Sequence, residues 1–219
     1  MTTKRQRLGG TKNRAAREKA LLSAASRLFA RRGYEATTTR EIAAEAGCAE
    51  GLIHRYFQSK AGLLLGLIRS RMSREIADIN VKVRVAATLE ADLLQVVDHE
   101  LQRMWDDREF LKVVIPRAFL DANLGDVVRK TGPVSKSHLL VKRFRHFREC
   151  KDLSSREIEA LAEFVGTIGF SFGFMRPAVL GDDRAHCRVL ALTLARILLR
   201  AVPGKPIAPR KTRKLLSST

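Results

Sequence analysis

Residues 33–64 read GYEATTTREIAAEAGCAEGLIHRYFQSKAGLL. The stretch reads as two short helices joined by a tight turn and followed at once by a longer helix, the layout of a DNA-reading helix-turn-helix. Thr38-Thr39-Arg40-Glu41 supplies a capping box: the Thr38 hydroxyl can accept from an orphan N–H of the first turn while Glu41 reaches back to the cap. A helix is therefore predicted to begin at Thr38 or Thr39. Ile42, Ala43 and Ala46 form its apolar face, and Gly47 sits where the chain must turn with a positive φ. A second short helix, about Ala49 to Tyr56, turns Leu52 or Ile53 and Phe57 toward a core. Glu50, Gly51, His54, Arg55 and Tyr56 then lie on or near the outer side.

The flanking residues supply supports for this unit. Helix 1, about Ala15 to Arg32, carries Leu21, Ala25, Leu28 and Phe29 on one stripe and stops at Gly33, with Arg31 and Arg32 in the last turn where the helix dipole favours cations. Ser59 is an N-cap for a long helix through Leu63, Leu64, Leu67, Ile68, Met72, Ile76 and Ile79, which leaves the small unit and enters the next one. Residues 1–14 are polar and basic with a Gly-Gly pair and read as a flexible basic arm, in which Lys4, Arg5, Arg7, Lys12 and Arg14 can reach phosphates or a minor groove.

The chain has 219 residues and a formal net charge of +18, from 41 Lys and Arg against 23 Asp and Glu. Residues 1–60 hold 13 basic and 5 acidic residues and residues 202–219 hold 5 basic and no acidic ones, so +13 of the +18 sits at the two ends. That surplus predicts attraction to polyanions, with double-stranded DNA as the leading partner. Cys48, Cys150 and Cys187 show neither C-x-x-C spacing nor a nearby histidine ladder, so neither a disulfide framework nor a metal site is implied, and a reducing cytoplasm is the natural compartment. Cys48 reads as a small core residue, and His99, His138, His146 and His186 as surface or satisfied histidines. The longest uncharged run, Phe164 to Met175, is too short to span a bilayer, so no membrane is expected. No phosphate-cradling glycine loop, nucleophile elbow or paired histidine-carboxylate motif points to an enzyme, and no cofactor is implied.

Beyond residue 85 the pattern stays helical. Leu93, Val97, Leu101 and Met104 share one segment, and Phe110 to Leu120 is interrupted by Pro116, where a kink or break is expected. Asn123 to Pro133 reads as a loop-rich zone before a basic helix from Val134 to Cys150. Ser154-Ser155-Arg156-Glu157 is a second capping box, opening a helix of about Ser155 to Arg176 that Pro177 should end. Gly166, Gly169 and Gly173 recur along it at three- and four-residue spacing. The last helix, about Arg184 to Ala201, is strongly apolar, including Leu190, Leu194 and Ile197, and Pro203, Pro206 and Pro209 start a basic, disordered tail over 202–219. These last two helices carry more apolar surface than a small monomer hides, which suggests self-association.

The run RLFARRGYEATTTREIA, the AEAG turn and the block GLIHRYFQSK together resemble the DNA-binding domain of the tetracycline-repressor (TetR) family over roughly residues 17–65. The resemblance implies an all-α chain: an N-terminal helix-turn-helix domain over 15–65 and a helical effector-binding and dimerisation domain over 66–201. It implies a cytoplasmic, homodimeric, ligand-responsive repressor on a palindromic operator, nucleoid-associated when bound, with an unidentified small-molecule effector. By the same resemblance Thr39 contacts phosphate, Ala49, Gly51, Leu52, His54, Arg55 and Tyr56 lie at the reading surface, and Lys60 grips phosphate. Thr38 and Arg40 complete the expected DNA contacts. On residue chemistry Arg55 suits bidentate contact to guanine, Tyr56 suits phosphate, and Gly51 lets the backbone approach closely. Glu50 is expected to face solvent; favouring the helix dipole or accepting from a cytosine amino group are the alternatives. Trp105, Phe110 and Phe119 are candidates for an effector pocket. Gly166, Gly169, Gly173, Leu190, Leu194 and Ile197 are candidates for the dimer face, where the family builds a four-helix interface. The other reading is a sequence-tolerant architectural DNA protein, for which the charge would be the main fact.

Overall fold

The computed structural model describes residues 3–131 and 133–200; within them, the side chains of 3–12, 72–82 and 130–136 are outside the description, as is the tail expected over 202–219. Ten α-helices follow in order: α1 Thr3–Arg32, α2 Thr39–Glu45, α3 Gly51–Phe57, α4 Lys60–Lys82, α5 Leu89–Asp106, α6 Arg108–Leu120, α7 Ala122–Thr131, α8 Pro133–Phe144, α9 Ser155–Phe170 and α10 Arg184–Arg200. A short 3₁₀ turn, Arg148–Cys150, follows α8, and a π-helical stretch, Ser171–Val179, continues α9. No strand occurs among the described residues.

Most boundaries follow the predicted caps. Both capping boxes form, at Thr38/Glu41 and Ser154/Glu157. The N–H of Gly62 donates to the Ser59 hydroxyl at 3.0 Å, which starts α4. Three expectations are overturned and a fourth is narrowed. Helix α1 begins at Thr3, so residues 3–14 are helical rather than an irregular arm; a Gly-Gly pair lowers helix stability by about 1 kcal/mol per residue without forbidding the conformation. The zone from Asn123 to Pro133 is helical, because the Asp121 carboxylate accepts from the N–H groups of Asn123 and Leu124 at 2.9 and 3.2 Å and Pro133 occupies the first position of α8. Of the kink or break expected at Pro116 the break does not occur, since Pro116 lies within α6 without ending it. Pro177 lies within the π-helical stretch rather than terminating the element, which closes with the N–H of Leu180 donating to the Met175 carbonyl, five residues back, at 3.0 Å.

Two buried clusters organise the molecule. The first joins Leu21, Leu28 and Phe29 of α1, Ile42, Ile53 and Leu63, Leu64 and Leu67 of α4, together with Val114 of α6 and Leu124 of α7. The expected boundary at residue 65 therefore does not separate the cores: α6 and α7 pack into the head. The second cluster centres on α5, α8 and α9, with Leu93, Val97, Phe144, Leu161 and Val165, and takes in Ala191 and Ala195 of α10. Ser155–Val179 is long and apolar enough by composition to cross a membrane, but here it is the central helix of this second core. The Asp92 carboxylate, fully buried, accepts from Arg143 at 2.7 Å, and Arg143 also donates to the Val83 carbonyl at 2.8 Å, so the pair fastens the α4–α5 connection to α8. Breaking such a pair from one side leaves an uncompensated charge, a loss of about 3–5 kcal/mol.

Candidate nucleic-acid interface and effector cavity

The turn between α2 and α3 closes as a Schellman motif. The N–H of Cys48 donates to the Ala43 carbonyl at 2.9 Å and that of Gly47 to the Ala44 carbonyl at 3.1 Å, with Gly47 at φ 62°. Cys48 is half-buried there. Helix α2 is held against α1 by Arg27 and Arg31, which both donate to Glu45 at 2.7 Å, and by Arg32, which donates to Glu41 at 2.6 Å. The Thr38 backbone N–H, first, then its hydroxyl and Arg32 hold the Glu41 carboxyl below its usual range.

The outward face of α3 is formed by Gly51, His54 and Arg55, preceded by exposed Ala49. Beside Gly51 there is open space where a Cβ would stand. Arg55, and Arg40 on α2, are exposed and have no hydrogen bond or ion pair among the described residues, so both guanidiniums are available to phosphates or base edges. His54 Nδ1 lies 3.3 Å from the Gln58 carbonyl. Gln58 itself has φ 69° and ψ −37°, a conformation non-glycine residues rarely adopt, and it turns the chain from α3 into α4. Tyr56 is half-buried, with Phe57 edge-on at 6.4 Å and the Arg14 guanidinium 5.0 Å from its ring centre, so α1 places a cation beside the reading helix.

Three residues assigned to DNA contact are engaged otherwise. Leu52 packs against the head core rather than standing on the reading surface, because position 52 is one step round the helix from Gly51, on the side of buried Ile53. The Thr39 hydroxyl donates its single proton to Glu50 at 2.5 Å. A phosphate oxygen can only accept, so contact from Thr39 requires that bond to be exchanged, and Glu50 is a cross-link between α2 and α3 rather than a solvent-facing side chain. Lys60 does not project. Its ammonium donates to the Tyr34 and Thr37 carbonyls at 2.9 and 3.0 Å and lies 4.3 Å from the centre of the Tyr34 ring. Arg117 of α6 lies 4.4 Å from the centre of the same ring and pairs with Glu35, so the turn between α1 and α2 is gripped from two sides. Neither grip was readable from spacing, since the partners are 23 or more residues apart.

A cavity of about 340 Å³ opens between α4, α5, α6, α8 and α9. Its apolar wall includes Phe110, Val114 and Ile115 of α6, Leu140 of α8 and Val165 and Phe170 of α9. Of the three aromatic candidates only Phe110 lines it. Trp105 instead holds Arg108 and Arg184 against its ring at 4.6 and 5.0 Å, and Phe119 is 87% exposed at the end of α6. The helical period explains Phe119, which lies nine residues along α6 from Phe110, about two and a half turns, and so stands on the opposite side of the helix.

The same cavity has a charged end that sequence reading missed. Buried Glu100 accepts from Arg103 at 2.9 Å, and burial holds the Arg103 guanidinium down, to about 10. Arg103 lies 3.8 Å from Asp107; Asp107 pairs with Arg71 of α4, and Arg71 donates to the Ser26 hydroxyl of α1 at 2.9 Å. A continuous polar chain thus runs from the cavity wall to the head. Gly169 is part of it by omission: a Cβ there would lie 2.3 Å from Glu100 Cγ. Gly173 similarly admits the backbone of Leu101, and Gly166 lines the cavity. These three glycines therefore face inward and are not a dimer surface. Leu190 is half-buried, whereas Leu194 and Ile197 are 41% and 52% exposed and, with Val189, form an apolar strip on α10.

Residues 21–67 match the family of bacterial regulatory proteins described as the tetR family. The chain is 29% identical to the uncharacterized HTH-type transcriptional regulator YvkB of Bacillus subtilis, over 75% of this chain and 84% of that one. It is 30% identical to the HTH-type transcriptional repressor KstR of Mycolicibacterium smegmatis, over 58% of this chain and 63% of that one. The fold is shared with the fatty acid degradation regulator FadR from Bacillus halodurans at a TM-score of 0.62 and 19% identity, covering 86% of this chain and 97% of that one.

Proposed function

We propose that this chain, which belongs to the tetR family of bacterial regulatory proteins, is a ligand-responsive transcriptional repressor that binds a palindromic operator as a homodimer. The observation that carries the reading is the outward face of α3, where Gly51, His54 and Arg55 stand clear of the core on a helix fixed by the Gly47 turn. Such a helix enters a major groove with its exposed side chains at base edges, Arg55 reading guanine and Arg40 and Arg14 neutralising phosphates. The Thr39 hydroxyl reaches phosphate only by leaving Glu50.

Two heads are needed to read a palindrome, and the exposed strip of Val189, Leu194 and Ile197 on α10 supports a two-fold partner surface. The two heads then meet half-sites about one helical turn apart, roughly 34–36 Å, or a multiple of it. The cavity beneath α6 supports an effector with a large apolar part, since aliphatic and aromatic side chains form most of its wall away from the charged end and its volume is that of a small-molecule site. An effector changes operator affinity only by binding the two head arrangements unequally, and the chain Glu100–Arg103–Asp107–Arg71–Ser26 is where such a difference reaches α1.

Selection of bound fragments from genomic DNA, followed by anisotropy against increasing nonspecific competitor, tests the reading. A shared inverted repeat that survives a large competitor excess is expected. Binding that falls in proportion to bulk DNA would instead support the sequence-tolerant architectural protein.

A further inference from the structure

On the flank of α5 next to the apolar cavity lies a second hollow of about 640 Å³, bounded by Arg84 just after α4, by Asp98 and Gln102 of α5, and by Arg184 and Arg188 of α10. Its charge is unbalanced. Arg188 donates to Asp98 at 2.5 Å. Arg184 bonds the neutral Gln102 side chain and rests on the Trp105 ring. Arg84 is exposed and its guanidinium has no hydrogen bond or ion pair among the described residues. Three guanidiniums thus face one carboxylate. Val83 and His99 line both this groove and the apolar cavity, so the two meet at that edge of α5.

We infer that the groove is an anion subsite continuous with the cavity, and that the ligand is an amphiphile whose aliphatic tail occupies the cavity and whose phosphate-bearing head sits among Arg84, Arg184 and Arg188. Guanidinium forks match phosphate oxygens in bidentate fashion, and a hollow larger than the tail cavity is far more than a lone carboxylate needs. The inference rests on the cavity being the effector site.

The test uses the full chain and three probes by calorimetry: dodecyl phosphate, dodecanol and inorganic phosphate. Dodecyl phosphate is expected to bind at least tenfold more tightly than dodecanol, the gap shrinking with added salt and closing in Arg84→Gln/Arg184→Gln. Arg84→Gln alone, at an exposed side chain, should halve the gap or better if the double variant fails to fold. Equal affinity for phosphate and alcohol, no binding of either, or a gap that survives the folded variants overturns the groove. Operator release is read separately. Head-dependent binding that leaves operator affinity unchanged would keep the subsite and overturn the effector reading, whereas release by dodecanol and dodecyl phosphate alike would do the reverse. Lauroyl-coenzyme A and a lauroyl lysophosphatidate, compared in the same assay, distinguish a coenzyme thioester from a phospholipid as the source of the head.

Discussion

Replacing Lys60 by Met keeps the side-chain stem and removes the charge, and it separates two roles that the sequence and the structure assign differently. If Lys60 gripped phosphate, the variant would keep its stability and the slope of log K against log salt would fall by about 0.9, one phosphate contact fewer. In the structure the ammonium donates to two carbonyls at 2.9 and 3.0 Å and lies over the Tyr34 ring. Hydrogen bonds from a charged donor contribute roughly 1.5–3 kcal/mol each before water competes for the acceptors, and an exposed cation–π contact roughly 0.5–1 kcal/mol. Lys60 is half-buried and water can reach the freed carbonyls, so a net loss of about 2 kcal/mol is expected. For a chain of this size that lowers Tm by about 4–8 °C. Thermal unfolding by circular dichroism and operator anisotropy from 50 to 300 mM salt would measure both quantities. An unchanged Tm with a slope reduced by one unit would refute the clamp.

Arg55→Ala should relax base preference at one operator position by about 1–3 kcal/mol, whereas Arg40→Ala should weaken all sequences alike and lower the salt slope by about 0.9; anisotropy on single-base variants tells them apart. Leu194→Glu/Ile197→Glu should give a monomer by light scattering with the head still folded, and a dimer at micromolar concentration would rule out the α10 strip. Because the Glu41 carboxyl is held below its ordinary 4.5 in the folded head, its stabilisation is present above that value and is lost as pH falls through the lowered one. Acid titration of Glu41→Gln should therefore show lower stability at neutral pH and a shallower loss below about pH 4.5; an unaltered acid limb would contradict the assignment. Arg71→Met should leave operator affinity within a few fold but reduce the effector's influence on it, while an unaltered coupling ratio would exclude the polar chain as the route.

What the sequence disclosed was what short-range physics controls. Both capping boxes, the Gly47 turn and the Ser59 cap are set by residues three or four apart, and each formed where predicted. The α7 start was also local, since Asp121 is an N-cap, but the surrounding Gly125 and Thr131-Gly132-Pro133 masked it. The roles of Lys60, Arg117 and Arg71 could not be read, because each depends on which remote carbonyl, ring or carboxylate the tertiary fold brings near. The glycines of α9 illustrate the same limit. Their spacing suggested a self-association face, whereas the packed structure shows that Glu100 and Leu101 of the same chain approach Gly169 and Gly173.

Helix α6 has a place in this molecule that neither domain label conveys. It supplies Phe110, Val114 and Ile115 to the cavity, yet Val114 is also part of the head core and Arg117, a turn later, grips Tyr34 and Glu35. A ligand wedged against Phe110 and Ile115 therefore cannot displace α6 without disturbing the turn that precedes α2. Close-packed interiors shift between discrete arrangements rather than deform smoothly, so in the function proposed above the Tyr34 clamp and the Arg71 chain would be the two joints, one at each end of the α6 wall, through which an occupied cavity reorients the head.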